Sequence, residues 1–213
     1  MKLPSLSLMK YTTLPSEDAL GERSSPSNDV SFTCFDPSYI QISLVVEEGL
    51  SGRTTCFEDP LHEGLSALNY IYPCLKSHEF VDLLVIMLGT NDVKERFSAS
   101  AACVAIAMGR LVKKAQSVEC WGDTKPNILV IAPPPIGEGM FESPVGVTMG
   151  RGCREKSLEL PKYYKEQCDL CGVHFLDAQD LGAEFNTVDY IHLTRKGHAA
   201  LAENLAKHIP GLL

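Results

Sequence analysis

The sequence predicts an α/β protein of the doubly wound class, a parallel sheet with helices on both faces. Two observations carry this. Four apolar runs, at 42–46, 81–88, 128–132 and 173–176, are near-continuous in Val, Ile and Leu. Strands buried on both faces need such runs, whereas strands with one wet face alternate. The intervals between the runs carry helical periodicity, so strand and helix alternate along the chain.

The elements follow in order. Residues 1–41 are rich in Ser, Pro and Thr and hold no convincing buried strand. After the run at 42–46, a helix is expected over 63–77, with Tyr72-Pro73 disturbing its end. In 98–117, Val104, Met108, Leu111, Val112 and Ala115 share one helical face. Segment 157–168 is expected to be helical, with Pro161 kinking it or starting it afresh. The last helix carries Leu201, Leu205 and Ile209 and is closed by Pro210-Gly211. Residues 40–213 show no internal repeat and no linker, so 1–213 reads as a single domain with an atypical N-terminal segment.

A chain of 213 residues with 45% hydrophobic content builds one ordinary core. Its net charge of -8 argues against nucleic acid or an anionic membrane as partner. No stretch approaches the roughly 20 apolar residues of a membrane helix, and the N-terminus has no apolar run of signal-peptide length. A cytoplasmic location is expected. The eight cysteines are scattered and are expected to be mostly reduced thiols packed as small apolar residues. Cys168-x-x-Cys171 is the one tight pair, with no second pair at matching spacing, so no metal is expected.

In a doubly wound sheet, sites form at the carboxyl ends of strands. Gly89-Thr90-Asn91-Asp92 follows the second run. The glycine permits a sharp exit and Asn91 can present its amide as a donor, although Asn-Asp also simply favours a turn. Gly49 and Gly52 follow the first run and read either as exposed backbone donors or as a flexible loop. No phosphate-cradling Gly-x-x-x-x-Gly-Lys pattern is present, so no nucleotide cofactor is expected. Near the C-terminus, Asp189 and His192 stand three apart just before a helix. That spacing can set a carboxylate against an imidazole acting as general base, or can be a surface turn. His198, inside the last helix, reads as structural.

Gly-x-Asn-Asp after a strand, followed late in the chain by Asp-x-x-His, resembles the SGNH (GDSL-type) hydrolases. The stretches VVEEGLSGRTT, DLLVIMLGTND, ILVIAPPP and HFLDA are similar to the bacterial arylesterase and acyltransferase branch. The similarity covers roughly residues 42–209. It implies a three-layer α/β/α flavodoxin-like sandwich and a serine esterase of small acyl esters, acetate esters first. It needs no cofactor, and its acyl-enzyme yields to water or, in the acyltransferase variant, to an alcohol. It also implies roles: His192 as base, Asp189 as its orienting partner, Asn91 and the backbone N–H of Gly52 as oxyanion donors. Segment 136–153, with Gly137, Gly139, Gly146 and Gly150, is expected to form part of the substrate wall.

The family's Gly-Asp-Ser motif and the apolar strand before it are missing. Counting back from the matched blocks points to Ser7, in Ser5-Leu6-Ser7-Leu8, as the nucleophile. Ser5 is a second candidate. Ser38 is a third, but it leaves no room for a crossover helix before Gly52. A sheet without its first strand would expose an edge. Either residues 1–41 supply a substitute, or the chain closes the gap as a homo-oligomer. Three rival readings stand beside this one: a catalytically dead relative that only binds ligand, a carbohydrate acetyl-esterase, and a protein of different chemistry such as a small-molecule-binding flavodoxin-like domain.

Overall fold

A computed structural model describes the backbone of residues 6–13, 32–36 and 39–213, and side chains from Val45 onward. Six strands form one sheet: β1 (Leu6–Thr13), β2 (Phe32–Asp36), β3 (Tyr39–Glu47), β4 (Leu83–Ile86), β5 (Ile128–Ala132) and β6 (His174–Asp177). Their order is β2-β3-β1-β4-β5-β6. The four apolar runs supply β3 to β6, and β4, β5 and β6 pair in parallel.

Two expectations need correction. Residues 1–41 contribute two strands, and both run antiparallel to their neighbours. For β2 the reason is chain length. Asp36 pairs with Tyr39, and so short a connection can join only antiparallel strands. Strand β1 enters between β3 and β4 and opposes both, which leaves β3 pointing the same way as β4. In this register Ser7 stands opposite Glu47 and Val85. The start of β1, rather than its end, therefore lies at the carboxyl ends of β3 and β4. Residues 1–41 thus fill the place of the missing first strand, by an antiparallel route.

Side chains alternate across the sheet. Leu84, Ile86, Ile128 and Val130 face one way. They pack on Ile71 and Leu75 of α1 (Ala67–Ser77), Met108 and Leu111 of α2 (Ala101–Gln116), and Leu160 and Tyr164 of α4 (Cys153–Cys171). Leu83, Val85, Leu129 and Ile131 face the other way, against Leu201 of α5 (Arg195–His208) and Ile209. This is the three-layer α/β/α sandwich expected. The short helix α3 (Gly146–Met149) lies in the insertion after β5.

Pro73 and Pro161 lie inside α1 and α4 rather than at their ends. The buried residues on either side of each outweigh a cost on the order of 3 kcal/mol, a balance local pattern does not disclose. Side-chain oxygens start two helices: Ser100 accepts from Cys103 N, and Thr194 from Gly197 N. Trp121 is a core residue, 6% exposed. Among the described residues, no helix is long and apolar enough to cross a membrane.

Ile86 is fully buried between layers. Ile86→Ala should cost about 2–5 kcal/mol of unfolding free energy, read as a lower urea midpoint at unchanged slope.

Candidate active site

Strand β4 ends in a turn that cannot carry a side chain at its pivot. Gly89 has φ +133, and a Cβ there would lie 2.6 Å from the Tyr164 hydroxyl. That hydroxyl donates to Leu88 O at 3.0 Å. Asp92 N and Val93 N both donate to Gly89 O, which closes the turn and projects Asn91. The Asn91 Nδ2 donates to Arg53 O at 3.1 Å. A carbonyl only accepts, so the orientation of the amide is settled. Its NH₂ has two hydrogens, and this bond uses one of them.

Gly52 lies in the loop after β3, beside the carbonyl that holds Asn91. Its φ is +83, and a Cβ would meet Leu65 Cδ1 at 3.0 Å. The following residues are stitched to the start of α1: Thr54 N donates to Leu65 O, and Ala67 N to Thr54 O. Thr55 ties this loop to the β4 turn. Its N–H donates to Asp92 Oδ1 at 2.8 Å, and its hydroxyl donates to the same oxygen. Asp92 is completely buried, and its Oδ2 has no hydrogen-bond partner among the described residues. Burial pushes its carboxyl up to about 6, against the opposing effect of the Thr55 hydrogen bonds. In sequence this residue looked like half of a turn dipeptide. Nothing local announced that it pins two loops together.

The Asp189–His192 spacing produces the pair expected of it. His192 Nδ1 faces Asp189 Oδ2 at 2.8 Å. The side chains are 42% and 19% exposed, so the ring is open to solvent while the carboxylate is sheltered. Asp189 Oδ1 accepts from His192 N, Ile191 N and the Asn186 amide. Partial burial raises the Asp189 pKa. The His192 and Ile191 N–H groups and the imidazole outweigh it and hold the carboxyl below its ordinary value. The Nε2 of His192 makes no hydrogen bond among the described residues. Tyr190, between the pair, has φ +61. His198 lies in the first turn of α5, its backbone bonded to Thr194 O.

The loops form a connected series at the carboxyl edge of the sheet. Arg96, after β4, pairs with Asp59 Oδ2 at 2.7 Å in the β3 loop and donates to Thr148 O in the β5 insertion. In the same insertion, Gly137 N donates to Tyr190 O at 2.9 Å. A Cβ on Gly139 would strike the Tyr190 ring. The insertion expected to wall the site thus touches the Asp189–His192 loop directly.

Ser7 has only its backbone described. Ser5 and Ser38 lie outside the described residues. The side chains of Glu48, Cys74 and His78 converge, their ligand-type atoms all within 4.8 Å. Such a set would suit zinc. But Glu48 Oε1 already meets His78 Nε2, Oε2 accepts from Tyr70, and burial pushes the Cys74 thiol up to about 12. The Arg53 guanidinium lies 4.4 Å over the Tyr70 ring. Hydrogen bonds link Glu48, Tyr70 and His78 within the cluster, and Arg53 joins it to the Gly52 loop.

An α/β sandwich with a carboxylate-held histidine and an amide donor at its strand ends is the arrangement of an ester hydrolase. Residues 35–200 match the GDSL-like lipase/acylhydrolase family, and the chain belongs to it. Among solved structures it is similar to the native aryl esterase of M. smegmatis, with 34% identity and a TM-score of 0.72. That match covers 79% of this chain and 78% of that one. It is also similar to a carbohydrate acetylesterase from Sinorhizobium meliloti, with 35% identity, a TM-score of 0.70 and the same two coverages. No curated protein matches the sequence significantly.

Two outcomes follow from the turn. Gly89→Ala should destabilise by about 1–3 kcal/mol through its strained φ, and Tyr164→Phe should recover part of that by removing the clashing oxygen; thermal melts of the two variants check this. The folded Asp92 carboxyl titrates above an unfolded aspartate, so the native state holds its proton more tightly. Ionisation then costs native stability as pH rises from 3.8 to about 6. Asp92→Asn cannot ionise, so its stability relative to wild type should increase across that window and stay level above it, as read by urea unfolding at each pH.

Proposed function

We propose that the protein is a serine esterase that cleaves small acyl esters, acetyl esters first, through an acyl-enzyme. The observation that carries this is the Asp189–His192 pair at 2.8 Å, combined with an Asn91 amide held at the Gly52 loop with a second N–H to offer.

In this reading Ser7 Oγ attacks the ester carbonyl carbon and its proton passes to His192 Nε2. Asp189 stabilises the resulting imidazolium and fixes its tautomer. The carbonyl oxygen becomes an oxyanion that accepts from Asn91 Nδ2 and Gly52 N. The bond to the alcohol oxygen breaks as His192 returns the proton, and the alcohol departs. Water, deprotonated by His192, then attacks the acyl carbon; the acyl–Oγ bond breaks as His192 returns the proton to Ser7 Oγ, and the carboxylic acid departs. The support for Ser7 is its backbone register opposite Glu47 and Val85, level with the start of the oxyanion loop. The acetyl preference is supported by likeness to an aryl esterase and a carbohydrate acetylesterase. An alcohol in place of water in the last step would make the same intermediate an acyl donor.

The test is a fluorophosphonate probe with peptide mapping, run beside p-nitrophenyl acetate hydrolysis. Labelling at Ser7, abolished in His192→Ala, is the expected result. A folded protein that neither labels nor hydrolyses the ester would be a family member that has lost catalysis. Asn91→Ala should lower kcat by about 100- to 1000-fold, with a much smaller change in KM.

A further inference from the structure

We infer that Asn186 is the positioning residue of the Asp189–His192 pair, its side-chain amide locking the carboxylate in the rotation that presents one oxygen to the imidazole. The inference rests on the reading of His192 as the base.

Every hydrogen-bonding position of this amide is used. Nδ2 donates to Asp189 Oδ1 at 3.0 Å and to His192 O at 2.8 Å. Oδ1 accepts from Val188 N at 2.8 Å and Asp189 N at 2.9 Å. An asparagine side chain offers two donors and two acceptor lone pairs, so none is left over. The backbone adds a fifth bond, from Asn186 N to His192 O at 2.8 Å. Two acceptors on one side and two donors on the other leave the amide a single orientation.

The consequence falls on Asp189. Its Oδ1 is saturated by three donors, from Asn186, Ile191 and His192 backbone. Only Oδ2 remains to face the ring. Val188 and Ile191 supply no side-chain polar atoms for this task, and Tyr190 takes φ +61 to pass between the two functional residues. The loop therefore closes through the Asn186 amide. An aspartate at this position would keep the accepting half but set an oxygen against Asp189 Oδ1 and His192 O. A serine has a single O–H donor on a shorter side chain, so it cannot supply both bonds that Nδ2 makes. Asn186 touches no reacting atom in this scheme; it acts through its neighbours.

The experiment compares wild type with Asn186→Ser and Asn186→Asp, each confirmed folded by its thermal melt. Two readouts are taken: kcat and KM for p-nitrophenyl acetate, and the low-field proton resonance of His192 Nδ1–H. Both variants should lower kcat by about 100-fold, the effect of displacing a reacting group by about 1 Å, with little change in KM. Both should broaden or abolish the resonance that wild type shows. If resonance and kcat survive in either variant, the inference is wrong. It is equally wrong if kcat falls while the resonance is unchanged, since the loss would then arise elsewhere. Should wild type show the resonance but no hydrolysis, the esterase reading fails while the resonance still decides the role of Asn186.

Discussion

The bond on which the rest of the site depends is the one between Thr55 and the buried Asp92 carboxylate. It joins the loop after β3 to the turn after β4, two segments that only the fold brings together. Gly52, Arg53 and Asn91 are all within a few residues of that joint. A buried carboxylate with one oxygen unpartnered among the described residues is costly, and the chain keeps it beside the Asn91 amide and the Gly52 loop. The Asn91–Arg53 hydrogen bond then sets the amide on a joint already made rigid.

The second half of the site is built differently. The Asp189–His192 pair needs no partner loop to exist; its bonds run among residues 186–192. What this local unit lacks is a direction relative to Asn91 and the Gly52 loop, and the β5 insertion provides a contact that constrains it. The Tyr190 carbonyl and ring rest on Gly137 and Gly139, and Arg96 ties the same insertion to the β3 and β4 loops. Four strand exits are thus linked edge to edge. Orientation of this kind is where intramolecular catalysis obtains much of its advantage.

The N-terminal segment shows how a sheet tolerates an altered strand. Strand β1 pairs on both sides, with β3 and with β4, but in the antiparallel sense. Antiparallel pairing satisfies the same backbone groups as parallel pairing. The edges of β3 and β4 are covered either way. The difference lies in which end of the strand lies at the carboxyl ends of β3 and β4: here it is the start, where the Ser7 backbone pairs with Glu47 and Val85.

Four strands, of which only β4 and β5 are buried along their whole length, the helices between them and the Asp189–His192 unit were legible in the sequence. Each depends on an apolar run, a period or a short spacing, which are local quantities. Asn91 and Gly52 were legible through likeness to a family rather than through physics, because a turn dipeptide and a loop glycine look alike with or without a role. The sense of β1 and β2, the continuation of α1 and α4 through Pro73 and Pro161, and the parts played by Asp92, Tyr190 and Arg96 were decided only in the tertiary structure. Strand pairing and burial of a carboxylate are relations between segments. A residue type names the groups available for bonding, and only packing determines which groups they meet.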